Sequence, residues 1–146
     1  MHGIPDSSIK VIDAPIAKAQ DSPISYKFHV EQSGKPALTE LIEVTPVGNN
    51  FSLLTLKPLT GRTHQIRIHC AHIGHLIVGD KLYGLSEAEY ISWRDQSTES
   101  AKTTLFYRHA LHCAMLEFNH PFDKKVLRLE APLPEDILEL MDHLRR

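Results

Sequence analysis

The 146-residue chain contains only two cysteines, and no apolar run approaches the roughly 20 residues that a membrane-spanning helix requires. Cys70 and Cys113 are too few for a disulfide framework, and both lie among apolar residues. This pattern favours small core residues of a reduced, cytosolic protein. Residues 1–24 also lack the basic start and apolar stretch of a secretory signal peptide. We therefore expect a cytoplasmic protein that does not associate with membranes.

Acidic residues are missing from one long stretch. Residues 44–79 contain no Asp or Glu, although the whole chain has 18 acidic and 16 basic residues. The same 36 residues contain Lys57, Arg62 and Arg67, together with four histidines. A local excess of positive charge on a nearly neutral protein is what a polyanion-binding face requires. An apolar core segment with few charges would give the same pattern, so charge alone leaves both interpretations open.

The composition and the periodicity predict the fold class. With 42% hydrophobic and 23% charged residues, the chain is not of the disordered class, and its length suits one domain. Residues 1–24 contain three prolines and predict an irregular first segment. Beyond it, alternation and turn residues predict strands near 26–30, 39–47, 51–57, 76–78, 109–116 and 126–130. Helices are expected over 64–72, briefly over 87–93, and after Pro134, with a polar loop over 94–104. The sequence thus predicts an α+β protein with a mostly antiparallel sheet and few helices.

The densest polar segment is LTGRTHQIRIH, residues 59–69. We expect Thr63 to cap the helix over 64–72. The expected buried stripe of this helix consists of Ile66, Cys70 and Ile73. His64 and Arg67 are three residues apart and would share its other face. An arginine placed there binds a carboxylate or a phosphate through two parallel hydrogen bonds, but a solvated arginine fits the spacing equally well.

Histidines and an aspartate in the same region raise two further possibilities. A zinc site needs three or four convergent ligands, and the histidines of this region lie at His64, His69, His72 and His75. The sequence has neither a His-Glu-x-x-His motif nor a Cys-x-x-Cys pair, so we expect no metal. Asp80, between Gly79 and Lys81, is typical of a turn residue.

Several motifs together resemble the RluA-type family of pseudouridine synthases. Residues 59–84 read LTGRTHQIRIHCAHIGHLIVGDKLYG, which is very similar to the third motif of that family. Arg108–His112 (RHALH), residues 130–134 (EAPLP) and residues 34–39 (GKPALT) also resemble family segments. The resemblance implies that residues 1–146 are the C-terminal portion of a single catalytic domain.

The resemblance implies an enzyme that isomerises uridine to pseudouridine in RNA. Ribosomal large-subunit RNA is favoured over transfer RNA as its partner, and neither a metal nor an organic cofactor is expected. Arg67 would be the catalytic contribution of this chain, paired with an aspartate that the family carries in an HRLD-like motif. Leu111 would pack near the target base. RNA contacts are implied for Lys57, Arg62, His64 and Gln65.

This sequence departs from the family pattern in two respects. It contains no HRLD-like motif, and no tyrosine occupies the place of the base-stacking tyrosine of the family. The resemblance therefore implies a fragment that is inactive alone. Half of a sheet would expose a strand edge, so we also expect self-association. Two alternatives remain open, a stand-alone RNA-binding module without catalysis and a metal-binding protein that uses the histidines.

Overall fold

The computed structural model describes residues 1–95 and 105–146. Their contacts form two compact units, Met1–Ala110 and Leu111–Arg146. The expectation of one domain over 1–146 stays a prediction. The loop expected over 94–104 lies outside the described residues from position 96 onward. None of the helices in the described part of the chain is long and apolar enough to span a membrane.

The first unit combines short antiparallel sheets with three helices. Its strands are β1 (Val11–Asp13), β2 (Ile16–Lys18), β3 (Phe28–Val30), β4 (Leu38–Val47) and β5 (Phe51–Pro58). Its helices are α1 (Gln65–His72), α2 (Lys81–Gly84) and α3 (Glu87–Asp95). The strand order is β1-β4-β5 in one sheet and β2-β3 in the other, and all pairs are antiparallel. The predicted α+β class is confirmed.

The long hairpin of β4 and β5 follows from its turn sequence. Gly48 has a φ of 62°, a left-handed value that glycine adopts without steric cost. The strands pair from Val47 opposite Phe51 to Thr39 opposite Pro58, with a register shift between Leu41 and Glu43. The hairpin leads through residues 59–64 directly into α1, and so it fixes where that helix begins.

Three predicted elements differ from the structure. Residues 1–24 are not wholly irregular, because they contain β1 and β2, which pair with β4 and β3. Residues 76–78 are not a strand, since Ile77 and Val78 are buried within a turn instead. Residues 109–114 have no strand either, and the strand begins at Met115. A segment of alternating apolar and polar residues forms a strand only where a neighbouring strand pairs with it. The sequence of the segment does not reveal which part of the chain that neighbour is.

Helix α1 begins and packs differently from the prediction. Its N-cap is His64 rather than Thr63, and no side chain caps it. Its buried residues are Gln65, Ile68, His69 and Cys70, whereas Ile66 and Ile73 are half-buried. Ile68 joins Ile16 and Ala37 in one core cluster. Polar residues occupy the buried face because β4 and the β1–β2 connection provide hydrogen-bond partners there.

The second unit consists of a hairpin and a helix. Strands β6 (Met115–Asn119) and β7 (Val126–Glu130) pair antiparallel across the turn near Pro121, and all their residues are exposed. Helix α4 (Glu135–Arg145) follows Pro134, where the sequence predicted a helix, and it buries Ile137 and Leu140. Acidic residues in its first turn and basic residues in its last turn complement the helix dipole.

Candidate active site

A cavity of about 260 Å³ opens in the first unit beside α1 and α2. Aromatic and basic side chains from distant parts of the chain line it. They include Tyr26, His64, Arg67, Tyr90, Arg108 and His109. Among the described residues, none that lines the cavity is acidic. Positive charge next to flat aromatic rings suits an anionic ligand that also carries a planar ring.

Arg67 of α1 forms a bidentate ion pair with Asp80. Its Nε lies 2.7 Å from Oδ2 of Asp80, and its Nη2 lies 2.8 Å from Oδ1. The Asp80 side chain is 1% exposed and that of Arg67 is 15% exposed. Burial by itself would lower the pKa of Arg67, but the hydrogen bonds and the charge of Asp80 outweigh it and raise the pKa. The guanidinium is therefore charged and fixed in direction at the cavity wall.

Asp80 is placed for this contact by helix α2. It is the N-cap of that helix, and its Oδ1 accepts a hydrogen bond of 3.2 Å from the backbone N–H of Tyr83. The same carboxylate thus begins a helix and holds Arg67. This second contact is more than the turn role that the sequence indicated.

Tyr83 links Arg67 to His64. The guanidinium carbon of Arg67 lies 4.9 Å from the centre of the Tyr83 ring, a cation–π contact. The Tyr83 hydroxyl lies 3.0 Å from Nδ1 of His64. Burial is the main cause that raises the pKa of Tyr83 to about 12, so its hydroxyl is protonated at neutral pH. One tyrosine therefore orients two of the predicted site residues.

His64 has an unusual backbone conformation at the start of α1. Its φ is 55° and its ψ is 20°, the left-handed region that non-glycine residues rarely adopt. Its ring packs edge-on against Phe28 at 6.4 Å and Tyr83 at 5.8 Å. Burial and the nearby Arg67 charge lower the pKa of His64, which favours a neutral ring at pH 7. The strained backbone aims this neutral ring along the cavity wall.

The opposite wall is aromatic. The hydroxyls of Tyr26 and Tyr90 lie 2.9 Å apart, and the rings of Tyr90 and Trp93 lie 5.6 Å apart. Burial is the largest cause that raises the pKa of Tyr90 to about 12. The rings of Tyr90 and Trp93 belong to a cluster around Ile24 and Leu82, which packs α3 against the β2–β3 connection.

Two of the predicted RNA-contacting residues lie elsewhere. Lys57 is on β5 and forms a loose ion pair of 3.7 Å with Glu40. Arg62 donates from Nε to the carbonyl oxygen of Pro36 at 2.9 Å. Neither residue lines the cavity. The structure brings together Arg67 and His64, and it leaves these two basic residues on the surface outside the cavity.

Gln65, also a predicted RNA contact, is 4% exposed and fully hydrogen-bonded within the protein. Its Oε1 accepts from Thr60 Oγ1 at 2.7 Å and from the Arg62 backbone at 3.0 Å. Its Nε2 donates to Leu38 O at 3.0 Å and to Thr39 Oγ1 at 2.9 Å. Gln65 therefore ties the loop before α1 to strand β4, and this arrangement gives it a structural role.

The histidines of this region do not converge. His69 is fully buried, with Nδ1 2.9 Å from Thr39 Oγ1 and Nε2 3.0 Å from Ala14 O. His75 bonds to the backbone of His2 at 3.0 Å. Within the described ranges, no three His, Cys, Asp or Glu side chains are placed to hold a metal ion. The geometry therefore gives no support to the metal-binding alternative.

Leu111 begins the second unit and is half-buried. Its predicted packing against the target base involves the first unit, so that role stays a prediction.

The sequence interpretation missed the partner of Arg67. A usable signal exists, because Asp80 is the first acidic residue after the acid-free stretch that contains Arg67. An arginine that becomes buried in such a stretch has few possible partners nearby. Tyr83 and Lys81 have no comparable signal, since their contacts depend on how α2 folds back on α1.

Comparison with known proteins identifies the family. The model of the RNA pseudouridylate synthase family matches residues 3–72. "Ribosomal large subunit pseudouridine synthase D" of Haemophilus ducreyi is 38% identical over 136 residues, 92% of this chain and 40% of that protein. The chain belongs to the RNA pseudouridine synthase family. The family resemblance expected from residues 59–84 is thereby confirmed.

Two further relatives agree with this assignment. "Uncharacterized RNA pseudouridine synthase YlyB" of Bacillus subtilis is 36% identical over 146 residues, 100% of this chain and 42% of that protein. The solved structure of "Human RNA Pseudouridylate Synthase Domain Containing 1" matches with a TM-score of 0.62 and 26% identity. The match covers 99% of this chain and 62% of the human chain. The chain spans about two fifths of the length of the curated relatives it matches.

Proposed function

We propose that this chain is the arginine-bearing part of an RluA-type enzyme that isomerises uridine to pseudouridine in RNA. The observation that carries the proposal is the Arg67–Asp80 pair at the wall of a cationic, aromatic cavity. The cavity suits a nucleotide because basic groups attract the phosphate and rings pack against the base. Several relatives are named as large-subunit enzymes, which favours ribosomal over transfer RNA.

Arg67 retains hydrogen-bonding capacity for the reaction. Asp80 occupies Nε and Nη2, and within the described residues Nη1 has no hydrogen-bond partner. We expected Arg67 to pair with an aspartate outside this chain, and the structure already provides one partner inside it. The proposal is therefore that Asp80 holds one edge of the guanidinium, while Nη1 meets the nucleophilic aspartate that an HRLD-like motif would supply.

Tritium release from RNA labelled at C5 of uridine tests the activity, because the isomerisation replaces the hydrogen at that carbon. The chain would be assayed alone, and again with the part of the Haemophilus ducreyi relative that it does not match. We expect no release from the chain alone and release from the mixture. Arg67→Lys should abolish the mixture's activity, since the single nitrogen of lysine cannot bind both oxygens of Asp80 side by side and also present a further nitrogen to the nucleophile. Arg145→Lys, on the exposed face of α4, is the matched control.

The other outcomes select the alternatives. Release by the chain alone would assign the attack to a carboxylate within it, with Asp80 the first to test. RNA binding without release in either sample would favour a stand-alone RNA-binding module without catalysis. A chain that neither binds RNA nor supports release would contradict both functions.

A further inference from the structure

The ammonium group of Lys81 is enclosed by backbone carbonyls. Lys81 is the first residue of α2 and is 8% exposed. Its Nζ donates to Tyr107 O at 2.6 Å, to Gly79 O at 3.2 Å and to Phe106 O at 3.3 Å. The ring of Trp93 lies 5.5 Å from Nζ, which adds a cation–π contact. The three donors of an ammonium group match these three acceptors, so the buried charge is compensated.

Two of these carbonyls belong to residues 105–110, a segment without regular structure. The same segment approaches the α2 turn at two further points. The N–H of Ala110 donates to Val78 O at 2.8 Å. Gly79 has a φ of 76°, and a Cβ at this position would overlap the carbonyl oxygen of Arg108. Residues 78–81 therefore hold the segment 105–110 along its length.

This segment carries part of the cavity wall. Arg108 and His109 line the same cavity as Arg67. The Arg108 guanidinium stacks on Phe106, with 5.3 Å between its central carbon and the ring centre. The segment has no helix or strand of its own, so its contacts with residues 78–81 help to fix the backbone that carries Arg108.

We propose that Lys81 is a positioning residue for RNA binding, which ties residues 105–110 to α2 so that Arg108 and His109 face the phosphate backbone. The inference rests on the proposed function, because it takes RNA as the ligand. Lys81 also lines the cavity, but the three donors of its ammonium group are used by the carbonyls of Gly79, Phe106 and Tyr107. It acts by fixing the backbone that carries Arg108 and His109, and its loss would free the segment while both of those side chains remain in the chain.

Binding of a fluorescently labelled, single-stranded uridine-rich RNA to the full chain tests this role. Lys81→Met keeps the length and packing but removes the donors. We expect roughly tenfold weaker binding, about the loss of one charge-assisted contact, and a salt-dependence slope smaller by about one. Lys81→Arg keeps donors for the carbonyls and should restore most of the affinity. Arg145→Gln, outside the cavity, is the control expected to bind as the wild type does.

A double-mutant comparison separates positioning from a general loss of stability. Arg108→Gln should weaken binding about tenfold in the wild type and far less in Lys81→Met, because the segment is already displaced there. Additive losses would overturn the proposal. Hydrogen exchange gives a local readout: the Ala110 amide should exchange faster in Lys81→Met, while amides inside α1 keep their protection.

The remaining outcomes are also decisive. If Lys81→Met does not fold, Gly79→Ala displaces the same segment by another route, and wild-type affinity in that variant would contradict the proposal. A wild-type chain that binds no RNA, either alone or mixed with the complementary part of the relative, would overturn the proposed function. If the wild type binds RNA and Lys81→Met binds it with the same affinity, the proposed role of Lys81 is wrong and the proposed function is unaffected.

Discussion

Arg67 and Asp80, 13 residues apart in sequence, face each other edge to edge, with both carboxylate oxygens in contact with the guanidinium. Asp80 is almost wholly buried and Arg67 is largely so. Burying such a pair costs free energy because two charges lose their contact with water. Removing one partner leaves the charge of the other buried without compensation.

Asp80→Ala should therefore destabilise the fold strongly. We expect a loss of about 3 kcal/mol in the free energy of unfolding, because the Arg67 charge remains without its partner. Urea unfolding followed by circular dichroism measures it. Lys57→Gln breaks an exposed pair with Glu40 and should change stability by less than about 1 kcal/mol. Equal losses in the two variants would contradict a special role for the buried pair.

Acid should destabilise the first unit through His69. Burial lowers the pKa of this histidine from its ordinary value of 6.5 by more than the hydrogen bond to Ala14 O raises it. The folded state therefore favours the neutral ring. The resulting stability is fully present above about pH 6.5 and is lost as the pH falls from there through the lower folded-state pKa.

Unfolding experiments between pH 8 and pH 5 test whether the free energy of unfolding falls with the pH as expected. The contribution of one histidine is at most about 1.4 kcal/mol per pH unit. His69→Gln should be less stable than the wild type at pH 8 and should depend less steeply on pH. Other histidines with lowered pKa values, among them His64 and His109, remain in both proteins and cancel in the comparison. Parallel profiles would contradict the assignment to His69.

The two thiols should differ in reactivity. Cys70 is fully buried, and burial raises its pKa to about 12, whereas Cys113 is exposed. Because the thiolate is the reactive form, a thiol reagent should label one equivalent in the native protein and two after unfolding. Cys113→Ser should remove the native reaction. Fast labelling of Cys70 in that variant would show that the core around α1 opens readily.

Self-association is a further expectation. The hairpin of β6 and β7 exposes apolar side chains, including Leu116, Val126 and Leu129, and its edges are unpaired within the described residues. Light scattering should show a mass that grows with concentration. Leu129→Lys should reduce the association, since a charge on the exposed face opposes pairing. A constant monomer mass for the wild type up to high concentration would contradict this expectation.

The local signals in the sequence were informative where the chain itself sets the geometry. The Gly48 turn, the β4–β5 hairpin and the start of the last helix at Pro134 all follow from neighbouring residues. The resemblance of residues 59–84 to a family motif identified the region of the cavity and placed Arg67 and His64 on it.

Contacts between distant segments could not be predicted in the same way. His69 can be buried in the core because Thr39 Oγ1 and Ala14 O form hydrogen bonds with its two ring nitrogens. Gln65 is buried because β4 provides its partners. The strand expected over 109–116 begins only at Met115, since pairing with β7 starts there. Each of these depends on tertiary neighbours that periodicity does not encode.

At His64 the left-handed backbone lowers the stability of the fold, whereas the side chain is needed for the proposed RNA contact. Such a conformation costs a side-chain-bearing residue roughly 1–2 kcal/mol, and glycine avoids that cost. A screen of random variants for heat resistance alone would therefore be expected to enrich glycine there. The survivors would lose the ring that Tyr83 orients beside Arg67. Thermostability gained in this way would come at the expense of the proposed RNA contact, so engineering of this protein should exclude position 64 from its library.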